Sequence, residues 1–153
     1  MRKSMMRFHK TVLARTVFCI ALLSNCFSAV AQDDSSFEKW NRPIEPFRLI
    51  GNIHYVGTNE LAAFLITTSD GHILLDGGLP QSAAIISGNI AKLGFSLRDV
   101  KILLNSHAHF DHAGGLAELK QKTAAQLMVM ADDAEIIESG GKALGPEFVF
   151  AAA

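Results

Sequence analysis

The sequence has only two cysteines in 153 residues, Cys19 and Cys26, and both fall within the first 31. The rest of the chain therefore has no thiol, which excludes disulfides and thiolate metal ligands there. Acidic charge is missing from the start. Residues 1–31 hold Arg2, Lys3, Arg7, Lys10 and Arg15 and no acid, so the following 122 carry nine basic against fifteen acidic side chains, a formal balance of −6. A body with that balance has no bulk electrostatic attraction for nucleic acid or anionic lipid. The apolar run over residues 16–23 falls well short of the ~20 residues that a membrane-spanning helix needs. There is no internal repeat and no low-complexity tract. With 49% hydrophobic and 19% charged residues, the composition is that of a globular protein of about one domain, not a disordered or collagen-like chain.

The basic stretch to Arg15, the apolar run over 16–23 and the small residues Ala29-Val30-Ala31 before Gln32 have the form of a secretory signal peptide with an A-x-A cleavage site. The expectation is a signal over 1–31, a periplasmic or secreted product, and no stable membrane insertion after cleavage. A lipoprotein reading would use Leu23-Ser24-Asn25-Cys26, where Asn25 is a poor residue before a lipidated cysteine. Residues 32–46 are polar and broken by Pro43 and Pro46, and read as an N-terminal arm. Residues 47–153 are the expected domain.

Strand signals open that domain. Residues 47–50 and 53–56 are split by Gly51-Asn52, and an apolar run over 61–68 is followed by a Ser69-Asp70-Gly71 turn and a strand over 72–76. Helical spacing then takes over. Ala83, Ile86, Ile90 and Leu93 recur on one face, with Pro80 before them and Gly94 closing the helix. Ser96 and Asp99 suggest a short cap. A buried-type strand is expected over 101–105, a helix over 114–122 and a strand over 126–131. A helix opened by Asp132 and Glu135 as a capping box should end at Gly140-Gly141. Antiparallel strands followed by β-α-β-α-β-α imply an α/β fold with a mixed sheet and helices on at least one face. Residues 147–150 read as the start of a further strand before Ala151-Ala152-Ala153, so the expectation is a chain that stops before its fold is complete.

The chemistry concentrates after the strand at 101–105, in Ser106-His107-Ala108-His109-Phe110-Asp111-His112-Ala113-Gly114-Gly115. Residues two apart in extended chain point the same way, so His107 and His109 can serve one zinc. Asp111 and His112, adjacent on a turn, suit a second ion. Imidazole and carboxylate are fair zinc ligands, and an incomplete shell leaves room for water. A metal ion lowers the pKa of bound water towards ~7 and polarises the carbonyl under attack. Asp111 can orient the nucleophile as well as bind metal, which makes it the candidate catalytic residue. Gly114-Gly115 lets the backbone pass close to the site. Asp76, ending a neighbouring strand, is the candidate acceptor for a hydrogen bond from a ligand imidazole. His54 and His72 stand alone in the pattern and read as surface or core residues.

The cluster resembles the signature of the metallo-β-lactamase superfamily. The segments Pro46-Phe47-Arg48-Leu49-Ile50-Gly51-Asn52-Ile53-His54-Tyr55-Val56-Gly57, Phe64-Leu65-Ile66-Thr67-Thr68, Gly71-His72-Ile73-Leu74-Leu75-Asp76-Gly77-Gly78-Leu79-Pro80 and Leu103-Leu104-Asn105-Ser106-His107 onward to Leu116 are similar to the third subclass of class B β-lactamases. That resemblance implies the N-terminal half of an αββα sandwich, with one sheet face left apolar and open. It implies two zinc ions, with His107 and His109 on the first, Asp111 and His112 on the second, and Asp76 buried behind them. The implied activity is opening of a β-lactam amide by a metal-bound hydroxide. Family members take one more histidine for each zinc from the second half of the fold, and no histidine follows His112. Activity of this chain is therefore expected to be impaired. The competing readings are a thioester or lactone hydrolase of the same superfamily and a non-catalytic fragment.

Overall fold

The computed structural model describes residues 34–144. The expected signal peptide over 1–31 and the strand signal at 147–150 lie outside the described residues. Six strands form one sheet in sequence order: β1 (Phe47–Ile50), β2 (Ile53–Tyr55), β3 (Phe64–Ile66), β4 (His72–Leu75), β5 (Val100–Leu104) and β6 (Gln126–Met128). Strands β1 to β4 pair antiparallel, and β4, β5 and β6 pair parallel. The parallel half needs crossovers. Helix α2 (Ser82–Lys92) carries the chain from β4 to β5. The turn α3 (Phe110–Ala113) and the helix α4 (Leu116–Thr123) carry it from β5 to β6. The sheet is mixed, as the order of elements predicts.

Side-chain alternation assigns the two faces. His54, Leu65, Leu74, Leu103 and Leu127 are register partners across β2 to β6. Of these, Leu65, Leu74 and Leu103 are fully buried. They pack in the core with Ala83, Ile86 and Ile90 of α2 and with Leu116 and Leu119 of α4. Burying a leucine side chain of this kind contributes about 1.5–3 kcal/mol. One residue along each strand, the row Phe47, Tyr55, Phe64, Leu75, Leu104 and Met128 lies on the opposite face. That row is apolar throughout, yet Phe47 is 46%, Leu104 37% and Met128 40% exposed. Phe47 and Tyr55 stack on it with ring centroids 5.3 Å apart. Burial raises the Tyr55 phenol above its usual range. It stays a donor, to the carbonyls of Thr58 at 2.6 Å and Leu61 at 3.1 Å.

Several details differ from the sequence expectations. The arm over 32–46 contains a helix, α1 (Asp34–Trp40), where an irregular segment is expected. Its carbonyl groups find partners in the domain. Trp40 O accepts from Thr58 Oγ1 at 2.7 Å and Glu60 N at 3.1 Å, and Arg42 O accepts from Asn59 N at 2.9 Å. The strand expected over 61–68 is confined to Phe64–Ile66, because Leu61 and Ala63 turn back to bond Thr58 and Val56. Helix α5 (Ala134–Ser139) follows a 3₁₀ turn over Ala131–Asp133, and no side-chain cap bond forms at its start. The capping box read into Asp132 and Glu135 is therefore not built. Gly140 does close α5 in the left-handed region, and Gly94 closes the stretch after α2 at φ +85°. Ser96 Oγ caps its 3₁₀ turn by accepting from Arg98 N.

One polar side chain in the core holds α2 to the sheet. Asn89 is 2% exposed, and its amide donates to the carbonyls of Val56 at 3.0 Å and Gly57 at 2.9 Å. Removing it leaves two buried acceptors unpaired, at about 1–3 kcal/mol each before relaxation. Asn89→Leu is expected to lower unfolding stability by at least about 2 kcal/mol in urea titration, despite the gain in apolar volume. A neutral or stabilising result would contradict this assignment.

Candidate active site

Strands β4 and β5 end side by side, and their ladder continues one residue further: Asp76 N–H donates to Leu104 O at 2.9 Å and Asn105 N–H to Met128 O at 3.0 Å. Beyond that point both chains leave the sheet. Ligand sites of open α/β sheets lie in this crevice, outside the carboxyl ends of parallel strands.

Asp76 organises the crevice. Its backbone sits at φ +63°, a region that costs a non-glycine residue about 1–3 kcal/mol. The side chain is 8% exposed and meets four donors. Oδ1 accepts from Ser106 N–H at 2.8 Å and Asn105 Nδ2 at 3.1 Å; Oδ2 accepts from Ser106 Oγ at 2.7 Å and His112 Nδ1 at 2.9 Å. Those bonds offset the backbone strain and the burial of the carboxylate. The sequence marks Asp76 as a hydrogen-bond acceptor but misses Asn105 and Ser106. The only signal for them is two polar residues closing an apolar strand.

The hydrogen bonds also set tautomers. Ser106 spends its single hydroxyl proton on Asp76, so its oxygen offers only lone pairs to His107 Nδ1 at 3.1 Å. His107 and His112 are then both protonated on Nδ1, and each keeps an unshared electron pair on Nε2. His109 is exposed and extended (φ −79°, ψ 150°) at the start of α3.

Two glycine pairs lock this loop to the strand end behind it. Gly77 N donates to His112 O at 2.8 Å, Gly115 N to Gly78 O at 3.3 Å, and Gly78 bridges Ala113. A Cβ on Gly77 would lie 2.9 Å from Leu116 N, and one on Gly114 would lie 2.5 Å from both Phe110 O and Pro80 Cδ. Only bare backbone fits at such approaches.

The four motif side chains come together. The His107 ring lies 4.0 Å from that of His112 and 4.7 Å from that of His109, centroid to centroid, and Asp111 Oδ2 is 3.6 Å from His112 Nε2. All four are at least partly accessible. Among the described residues, however, no three His, Cys, Asp or Glu side chains stand where they would jointly hold one ion. The donors fit zinc in kind and in tautomer. Two of them per ion fall short of the three protein ligands usual for catalytic zinc.

A family model for the metallo-β-lactamase superfamily matches residues 60–151. Among solved structures, the chain is similar to BJP-1, a subclass B3 metallo-β-lactamase of Bradyrhizobium japonicum. Identity is 46% and TM-score 0.72, over 77% of this chain and 46% of that one. It is also similar to FEZ-1, a metallo-β-lactamase from Legionella gormanii, at 46% identity and TM-score 0.71, over 74% of this chain and 45% of that one. A hydroxyacylglutathione hydrolase of Rhodopseudomonas palustris (strain BisB18) is 32% identical over 74 residues, 48% of this chain and 28% of that protein. The chain thus spans less than half the length of each.

Asp76→Asn keeps the shape of the hub but faces an amide N–H against either its own donors or His112. Histidine-ring nitrogen NMR is expected to find His112 protonated on Nδ1 in the wild type and shifted towards Nε2 protonation in Asp76→Asn. Stability is expected to fall by about 1–3 kcal/mol. An unchanged His112 tautomer would contradict the hub.

Proposed function

Because the chain belongs to the metallo-β-lactamase superfamily, we propose that it is the ligand-bearing part of a zinc-dependent hydrolase that opens the amide of β-lactam antibiotics, conferring resistance. The observation that carries this reading is the gathering of His107, His109, His112 and Asp111 at the ends of β4 and β5, with Asp76 buried behind them. His107 and His109 would hold one zinc and Asp111 and His112 the other. Zinc supplies polarisation of the scissile carbonyl and a water acidified towards neutral pH. The chain's own residues do the remaining work. Asp76 and Ser106 hold His112 and His107 with Nε2 bare and outward. Asp111, its side chain 30% exposed, orients the attacking water by accepting a hydrogen bond from it at a carboxylate oxygen. One further donor for each ion, beyond these four, would complete its set.

The lactam is favoured over other substrates by the resemblance to β-lactamase structures at 46% identity, against 32% for the glutathione thioester hydrolase. The second reading is thioester or lactone hydrolysis on the same ligands, and that relative supports its thioester arm. Small molecules, not nucleic acid, suit the −6 balance after residue 31. A signal over 1–31 would send the domain, residues 47–153 behind the arm 32–46, to the periplasm. Among the described residues no helix is long and apolar enough to cross a membrane.

Nitrocefin, a carbapenem, a lactoylglutathione thioester and an acyl homoserine lactone, each supplied to the zinc-saturated protein, separate these readings. The expectation is lactam turnover above the other two, reduced at least about 100-fold by His107→Ala or His112→Ala. Thioester or lactone turnover exceeding lactam turnover would replace the first reading with the second.

A further inference from the structure

Phe37 is a large apolar ring left 38% exposed, on a helix that the sequence gives no reason to fold down. Helix α1 is held at its C-terminal end. Besides the bonds accepted by the carbonyls of Trp40 and Arg42, Asn41 Oδ1 accepts from Ser82 Oγ at 2.5 Å, and Lys39 pairs with Glu60 at 3.1 Å. From that anchored end the helix reaches back over the active-site loop. Phe37 meets Trp40 edge-on at 5.3 Å and Phe110 edge-on at 5.6 Å, with an interplanar angle of 90°. Phe110 is the first residue of α3, between His109 and Asp111, and its carbonyl accepts from Gly114 N. Its ring also packs against the hydrophobic core. Clamping that ring from outside restricts the backbone from which two proposed ligands project.

We propose that Phe37 is a positioning residue: through Phe110 it holds His109 and Asp111 in place, so that docking of α1 and metal binding at the motif are coupled. The inference rests on the zinc reading above. Edge-to-face ring pairs contribute about 0.5–1.5 kcal/mol, enough to shift affinity about two- to tenfold but too little to decide whether the domain folds. Coupling is reciprocal, so metal binding must in turn tighten α1.

The sequence supplies a reporter. Trp40 is the single tryptophan of the chain, and it lies on α1 against Phe37. Zinc added to the full chain is expected to change Trp40 fluorescence along the same curve as zinc uptake measured by equilibrium dialysis. Phe37→Ala should weaken uptake about two- to tenfold and remove the fluorescence response, and Phe37→Tyr should restore both. Metal-free protein gives an independent readout. Phe37→Ala should shift the ring resonances of His109, whereas Lys122→Gln, which breaks an exposed ion pair to Glu118 on α4, should leave them in place. Equal zinc uptake by wild type and Phe37→Ala, or unmoved His109 resonances, would overturn the coupling while leaving the zinc reading intact. Wild-type protein that takes up no zinc at all would overturn the zinc reading and the coupling together.

Discussion

The site depends on one buried carboxylate. Asp76 stands at the point where β4 and β5 stop pairing, in a left-handed conformation that an aspartate adopts only at a cost. It is kept there by donors from Asn105, Ser106 and His112. Two of these residues precede the motif and the third is its last member, so a single side chain fixes both the start of the loop and the last imidazole. The tautomers of His107 and His112 follow from where the four protons go. A carboxylate this buried without its donors would bear the full cost of an unpaired buried polar group.

The sheet explains why these residues meet. Parallel pairing of β4 with β5 brings residue 76 beside residue 105, although the two are far apart in sequence, and the Leu65–Leu74–Leu103 row under α2 and α4 makes that pairing rigid. The glycine pairs then let the loop after β4 touch the loop after β5 backbone to backbone. The opposite sheet face, with Phe47, Leu104 and Met128 part-exposed, is a surface of the sort that another layer of structure would cover.

Much of this could be read in the sequence, for reasons that vary by element. Strands β1, β2, β4 and β5 show period-2 or continuous apolar runs bounded by turns, and α2 shows Ala83, Ile86 and Ile90 at helical spacing, signals that tertiary packing reinforced. His107, His109, Asp111 and His112 stood out as candidates because metal-capable side chains rarely crowd so closely, and Asp76 because a carboxylate ended the adjacent strand. Helix α1 was not legible. Its seven residues are mostly polar, and what orders it is Thr58, Asn59, Glu60 and Ser82, contacts that local spacing cannot reveal. Asn89 was hidden for the same reason, since its partners lie more than thirty residues away. The capping box failed because a 3₁₀ turn took up Asp132, the residue that would have opened it.

On the proposed reading these imidazoles and this carboxylate bind zinc, with Asp76 hydrogen-bonded to His112 behind them. X-ray absorption at the zinc edge, recorded on zinc-loaded protein, reads the ligands directly. The account predicts imidazole nitrogen and carboxylate oxygen at ~2.0–2.2 Å, with imidazole scattering reduced by His107→Ala and by His112→Ala. A spectrum of oxygen scatterers alone, unchanged by either substitution, would contradict it.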